Sequence, residues 1–172
     1  MRRQFEINVF GAMNVARAVL PTMRRQRSGL MVTISSVNGL VANPGGSIYS
    51  ASKFALEGWM EGLAEEIAPL GIRSLIVDPG MMRTNFLDPS TARQGDMEIE
   101  DYAEAVSAFR EFISQANGAQ DNDPEELAAL IVKEALSDAP ARRLLFGADA
   151  HEGAGAKCRQ LASEIDASKA RT

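Results

Sequence analysis

The sequence contains very little of the two residue types that most often bind metals or form cross-links. Its 172 residues include one cysteine, Cys158, and one histidine, His151. A single cysteine excludes an internal disulfide, and a reducing compartment is the default for such a chain. One histidine and one cysteine seven residues apart do not make a metal-ligand set, so we predict no metal site. His151 lies in an Ala/Gly-rich stretch near the C-terminus, where we expect an exposed residue without a catalytic role.

Long apolar runs and an excess of positive charge are also missing. No segment approaches the roughly eighteen apolar residues that a membrane-spanning helix requires. Polar residues at positions 6, 8, 14 and 17 interrupt the apolar stretch that follows the N-terminal arginine pair, which excludes a signal peptide. The formal net charge of −5 argues against nucleic acid or an anionic membrane as the main partner. We therefore expect a cytoplasmic protein with no nucleic-acid and no membrane partner.

The hydrophobic pattern indicates an α/β protein. The chain is 45% hydrophobic and 24% charged, a globular composition, and its length suits one domain, 1–172. Two short apolar runs, 30–34 and 72–77, are typical of parallel strands that are covered on both faces. Apolar residues at three- and four-residue steps predict helices over 3–26 and 48–68. Strands that alternate with helices imply a parallel sheet with right-handed crossovers.

The second half of the chain is less regular. The segment 81–118 is polar and rich in methionine, with one short amphipathic helix marked by Tyr102 and Phe109. Asp123 followed by Pro124 predicts the start of a helix that reaches about Ser137. A third strand is predicted over 143–147, and a weak final helix over 156–167.

Tyr49 and Lys53 are the residues that first suggest chemistry. Their spacing of four places a phenol and an ammonium on one face of a helix, one turn apart. A nearby positive charge should lower the pKa of the tyrosine from its usual value of about 10. Such a tyrosine can exchange a proton with an alcohol near neutral pH. The spacing alone also fits an ordinary pair on a helix surface.

Three other short motifs surround this pair, and each by itself also fits a cap, a turn or a solvated helix position. In chain order the four motifs are Asn8-Val9-Phe10-Gly11, Ile34-Ser35-Ser36-Val37-Asn38-Gly39, Tyr49-Ser50-Ala51-Ser52-Lys53 and Asp78-Pro79-Gly80-Met81-Met82-Arg83-Thr84. Together, and in this order, they resemble the short-chain dehydrogenase/reductase superfamily over Phe5 to Thr84. The resemblance implies the C-terminal part of a Rossmann-like, doubly wound parallel sheet of about three strands with flanking helices.

The resemblance also implies an NAD(P)-dependent oxidoreductase that interconverts a carbonyl and an alcohol. Tyr49 would be the general acid/base, and Lys53 would lower its pKa and bind the nicotinamide ribose. Ser36 would hydrogen-bond the reacting oxygen and stabilise the developing alkoxide. Asn8 would lie at a break in the first helix and hold a water that relays protons to Lys53.

The remaining expectations concern the cofactor, the substrate and the oligomer. Pro79, Gly80, Met82 and Thr84 would contact the nicotinamide carboxamide of either NAD or NADP. The segment 81–118 would form a substrate lid, and the apolar side chains in it suggest an apolar substrate: Met82, Phe86, Leu87, Tyr102, Phe109 and Phe112. These side chains could equally pack the lid onto the body of the protein. Family members commonly pair through the helices that correspond to 3–26 and 48–68, so a homo-oligomer is expected.

The glycine-rich turn with which the family binds the pyrophosphate does not occur in these 172 residues. The N-terminal strands of the family's sheet are also expected to be absent, and because one of them lies beside the strand 30–34 in the family, that strand is left with an open edge. Two explanations stay open at this point. The protein could be longer than this sequence, or the chain could be a truncated, non-catalytic remnant that acts through protein–protein contacts.

Overall fold

Three parallel strands form one sheet in the order β1-β2-β3. The computed structural model describes residues 1–91, 99–169 and 171. The strands are β1 (Gly29–Ile34), β2 (Ile72–Pro79) and β3 (Arg143–Phe146). β1 pairs with β2 from Gly29↔Ile72 to Ile34↔Val77, and β2 pairs with β3 from Ile76↔Arg143 to Pro79↔Phe146. The predicted α/β class and parallel sheet are confirmed.

Helices precede, separate and follow the strands. In chain order they are α1 (Arg2–Phe5), a π-helical segment (Glu6–Gly11), α2 (Ala12–Gln26), α3 (Ser47–Ile67), α4 (Ala103–Ala116), α5 (Pro124–Ala135) and α6 (Ala148–Lys169). The first three are contiguous, so the predicted helix over 3–26 is present with a π-helical segment inside it. None of the helices in the described ranges is both long and apolar enough to cross a membrane.

The two faces of the sheet are covered by different helices. Leu75 and Val77 of β2 are fully buried and pack with Leu127 and Ile131 of α5. Because side chains alternate along a strand, Asp78 points to the opposite face. On that face Asp78 forms an ion pair with Arg143, which also forms an ion pair with Glu57 of α3. The core therefore lies on both sides of β2, as predicted for this strand.

The prediction that both faces are covered is wrong for β1. Val32 and Ile34 are 37% and 49% exposed, although their register neighbours Leu75 and Val77 are buried. β1 is the first strand of the sheet, and within the described residues it pairs with β2 alone. The apolar side chains of β1 therefore form a surface that no described element of this chain covers.

The last helix is longer than the sequence pattern predicted. It begins at Ala148 rather than near position 156, even though its first half contains Gly153 and Gly155. Glycine weakens a helix by about 1 kcal/mol in isolation. Here Ala150 and Ala154 are buried at 0% and 7% exposure, so close packing of small residues stabilises a segment with low intrinsic propensity. His151, in the same segment, is exposed as predicted.

Candidate active site

The carboxyl ends of β1 and β2 bring the predicted residues to one edge of the sheet. Ser36 follows β1 by two residues, and Pro79 is the last residue of β2. Tyr49 lies in the first turn of α3, and Lys53 lies one turn further along the same helix. In open parallel sheets ligands bind at this edge, beyond the carboxyl ends of the strands.

Ser36 is buried and points toward Tyr49. Its backbone is extended (φ −175°), and its hydroxyl caps a short 3₁₀ turn by accepting a hydrogen bond from the N–H of Asn38 at 3.1 Å. The same side chain lies close enough to Tyr49 to lower the pKa of its hydroxyl as a hydrogen-bond partner. The serine and the tyrosine, thirteen residues apart in the sequence, therefore share one contact point.

Lys53 lies beside the ring of Tyr49. Its Nζ is 5.8 Å from the centroid of the Tyr49 ring and donates a hydrogen bond to the carbonyl of Ile34 at 3.0 Å. Burial lowers the pKa of Lys53, and the charges of Glu57 and Asp78 oppose this effect. The ammonium is therefore anchored to the end of β1, within one helical turn of the phenol.

The expectation of a lowered tyrosine pKa is wrong for this structure. Burial raises the pKa of Tyr49 above its ordinary value, and only the hydrogen bond with Ser36 acts in the opposite direction. Desolvation disfavours the charged phenolate, and here it outweighs the effect of the Ser36 hydrogen bond. Tyr49 is consequently protonated at neutral pH in this chain.

Asn8 lies in the π-helical segment of the first helix. Its Nδ2 donates a hydrogen bond to the hydroxyl of Ser52 at 3.0 Å, and that hydroxyl donates to the carbonyl of Tyr49 at 2.7 Å. Ser52 is fully buried. A π-helical turn widens the helix, a feature frequent at functional sites. The structure thus connects Asn8 to the turn between Tyr49 and Lys53 through Ser52, a residue that the sequence patterns did not single out.

The loop after β2 is held by two side chains that sequence reasoning missed. The N–H of Met81 donates to Oδ2 of Asp149 at 2.7 Å, and Asn122 donates to the carbonyl of Met81 at 2.9 Å. The N–H of Gly80 donates to the carbonyl of Phe146 at 2.9 Å. A Cβ at Gly80 would collide with the Asp149 carboxylate, so glycine is required by this close approach. Both partners come from distant parts of the chain and carry no local signal.

Thr84 and the start of the predicted lid lie next to the tyrosine. The hydroxyl of Thr84 accepts a hydrogen bond from the N–H of Phe86 at 3.3 Å. The Phe86 ring lies 5.5 Å from the Tyr49 ring, centroid to centroid, at an interplanar angle of 51°. Phe109 of α4 packs on Gly45, where an added Cβ would lie 2.7 Å from the ring. The described parts of 81–118 therefore contact the tyrosine and the loop before it; residues 92–98 lie outside the described residues.

Comparison with known proteins shows which family this chain resembles. The family model described as short chain dehydrogenase matches residues 1–95. The chain is 39% identical over 132 residues to a 3-ketodihydrosphingosine reductase from Bacteroides thetaiotaomicron, covering 76% of this chain and 48% of that protein. It spans about half the length of the curated relatives it matches, between 47% and 58% for three of them.

Solved structures share the fold over nearly the whole chain. A short-chain dehydrogenase from Streptomyces avermitilis superposes with a TM-score of 0.83 at 38% identity, covering 99% of this chain and 63% of that one. A short chain dehydrogenase from Burkholderia cenocepacia in complex with NADP gives 0.60 at 26% identity, covering 99% and 57%. The sheet is thus Rossmann-like, and the chain belongs to the short-chain dehydrogenase/reductase superfamily.

Proposed function

We propose that this chain carries the reacting groups of an NAD(P)-dependent oxidoreductase that interconverts a carbonyl and an alcohol. The observation that carries the proposal is the contact between the Ser36 side chain and the Tyr49 hydroxyl, with the Lys53 ammonium anchored beside the tyrosine ring. A donor pair aimed at one oxygen, next to a fixed positive charge, is the arrangement that polarises a carbonyl and transfers a proton to it.

Tyr49 is the general acid in the reducing direction. Its raised pKa keeps the phenol protonated, so it can give its proton to the substrate oxygen as the carbonyl becomes an alcohol. Ser36 donates a hydrogen bond to the same oxygen while negative charge develops there. The charge of Lys53 then stabilises the phenolate that remains. In the oxidising direction the same groups act in reverse order.

The residues at this edge fit the nicotinamide end of a cofactor. One N–H of the Lys53 ammonium donates to Ile34, which leaves two N–H groups for the hydroxyls of a ribose. Backbone groups of Pro79, Gly80 and Met82, together with the hydroxyl of Thr84, would hold the carboxamide. A nicotinamide cofactor, when bound, supplies or accepts the hydride. Either NAD or NADP fits these residues, because none of them touches the adenosine half.

We propose an apolar ketone or alcohol as the substrate. The Phe86 ring beside Tyr49 and the packing of Phe109 on the loop before α3 give the described parts of the lid an apolar character. The relative from Bacteroides thetaiotaomicron is named a 3-ketodihydrosphingosine reductase, which supports a ketone as the substrate.

The second candidate is a non-catalytic protein that acts through protein–protein contacts, including a homo-oligomer. Two observations favour it: the uncovered side chains of β1, and apolar side chains that the first helix and α3 expose. The latter include Ile7 (62% exposed), Phe10 (47%), Val15 (64%) and Phe54 (42%). Surfaces of this kind mark association sites.

Cofactor titration of the purified 172-residue chain separates the two candidates. Micromolar binding of NADH or NADPH with reduction of an apolar ketone would support the enzyme, and absence of binding at millimolar cofactor would refute it for this chain. Sedimentation of wild type and Phe54→Asp tests the oligomer, which the charged variant should dissociate.

A pair of tyrosine variants tests the mechanism. Tyr49→Phe should abolish nearly all turnover while cofactor binding and the circular dichroism spectrum are retained, because only the transferable proton is lost. Tyr102→Phe is the matched control, since Tyr102 is the other tyrosine and is 61% exposed. Retained turnover in Tyr49→Phe would contradict the assigned role.

A further inference from the structure

Glu57, one helical turn beyond Lys53, and Asp78 of β2 form a buried acidic pair that the proposed mechanism does not use. Tyr49, Lys53, Glu57 and Glu61 recur every four residues, so they share one face of α3. The Glu57 residue is 4% exposed, and Asp78, at the end of β2, is 0% exposed. Fully buried carboxylates are rare unless they are paired.

Arg143 of β3 joins this group. Its Nη1 lies 2.7 Å from Oε2 of Glu57 and also pairs with Oδ2 of Asp78, while its Nη2 lies 2.8 Å from Oε1 of Glu61. One guanidinium therefore faces two buried carboxylates and one that is exposed. A buried site with two negative charges and one positive charge is unfavourable, and protonation of one carboxylate removes the excess negative charge.

Asp78 is the member of the pair whose pKa is raised. Burial raises the pKa of this carboxyl to about 7, the hydrogen bond and charge of Glu57 act in the same direction, and Arg143 opposes them. Oδ1 of Asp78 is buried without another hydrogen-bond partner among the described residues. The Asp78 carboxyl therefore exchanges its proton with solvent near neutral pH.

Glu57 is also held against the turn that carries Ser36. A Cβ added to Gly39 would lie 2.7 Å from Cγ of Glu57 and 2.9 Å from Oγ of Ser35, so the turn and the glutamate are in close contact. Among the described residues, the charged and titratable groups around the pair come from three elements: Lys53, Glu57 and Glu61 from α3, Asp78 from β2 and Arg143 from β3.

We propose that Glu57 and Asp78 are positioning residues for the proposed reaction: Arg143 holds the two buried carboxylates near Lys53, and their negative charge keeps Lys53 protonated beside Tyr49. The inference rests on the proposed function for its catalytic consequence, and its electrostatic part can be measured on the chain alone. Both carboxylates favour the ammonium form of Lys53, against the burial that disfavours it. Through Lys53, the pair would set the pH range in which the lysine can stabilise the phenolate.

The direct test is the pH titration of the Lys53 side chain by NMR of the ¹⁵N-labelled lysines. The signal is assigned with Lys53→Arg. Glu57→Gln should lower the proton affinity of Lys53 by about tenfold, since one nearby negative charge is removed. Asp78→Asn should act in the same direction. Glu61→Gln is the matched control: Glu61 binds the same arginine, but its side chain is 65% exposed, so the Lys53 titration should stay unchanged.

A wild-type measurement covers the case in which a variant does not fold. The Lys53 signal of the native chain should show a second inflection where Asp78 loses its proton, and the infrared spectrum should show a protonated carboxyl band that disappears over the same pH range. A folded Glu57→Gln with an unchanged Lys53 titration overturns the proposal. If the wild-type chain shows neither the second inflection nor the infrared band, the proposal is overturned as well.

The two proposals fail differently in a turnover assay. If the Lys53 titration shifts as expected but the chain neither binds a nicotinamide cofactor nor reduces a ketone, the electrostatic coupling stands and the proposed function falls. If turnover is observed, the pH profile of kcat/KM should move in Glu57→Gln and not in Glu61→Gln. Turnover with an unmoved profile refutes the positioning role and leaves the proposed function intact.

Discussion

Replacing Asp78 with asparagine should change the pH dependence of folding stability and leave the fold unchanged. Asp78 is fully buried at the end of β2 and pairs with Arg143. Asparagine has nearly the same volume and keeps an oxygen that can accept from the guanidinium, but it cannot ionise. The difference in unfolding free energy between wild type and Asp78→Asn therefore isolates the free energy of ionising this carboxyl inside the folded chain.

The sign and size of the expected change in unfolding free energy follow from proton linkage. In the folded chain the pKa of Asp78 is raised to about 7, with burial as the main cause and Glu57 as the second. In the unfolded chain the value is about 3.9. Between these values the folded state binds more protons, so the stability from this group is fully present below the unfolded pKa and is lost as pH rises toward 7. From pH 5 to pH 8 the loss is about 2 to 3 kcal/mol relative to Asp78→Asn.

The assay is urea unfolding of both chains at several pH values, followed by circular dichroism. We expect the stability of wild type, measured against the variant, to fall steadily over this range. Glu61→Gln serves as the control, because its exposed carboxylate should leave the slope of wild type unchanged. A stability difference between wild type and Asp78→Asn that is independent of pH would refute the reasoning, since Asp78 would then titrate like an exposed acid.

Three further substitutions test individual contacts, each by urea unfolding. Asn8→Ala should destabilise the chain by about 1 kcal/mol, because it removes the hydrogen bond to Ser52; no change would mean that this contact does not persist in solution. Gly80→Ala should cost about 1 to 3 kcal/mol through its collision with Asp149, and the double change with Asp149→Ala should cost less than the sum. Asp123→Ala should cost about 1 kcal/mol, because it removes the N-cap of α5, and Asp123→Asn should restore most of it.

Local patterns in the sequence predicted most of the secondary structure. The periodicity of the first helix, the apolar run of β2 and the Asp123 cap before α5 each depend on neighbours within a few residues, and each matches the structure. The same patterns misjudged β1, whose apolar side chains are half exposed. An apolar run shows that a strand can be covered on both faces, but coverage is supplied by other parts of the chain.

Sequence patterns likewise predicted some residues of the candidate site and missed others. The order and spacing of the motifs around Asn8, Ser36, Tyr49 and Lys53 led to the family, which the comparisons confirm. The contacts of Asn122 and Asp149 with the loop after β2 were not visible, because 41 and 68 residues separate the bonded partners. No short-range pattern marks a pair at such separations.

What the sequence determined by itself is which chemical groups this protein carries and the order in which strands and helices present them. The charge state of those groups depends on the folded structure. The pKa of Tyr49 is raised rather than lowered, and Asp78 titrates near neutrality, because burial and partners from other elements outweigh the neighbours along the chain. Desolvation depends on everything that packs around a group, and that set is assembled only when the chain folds.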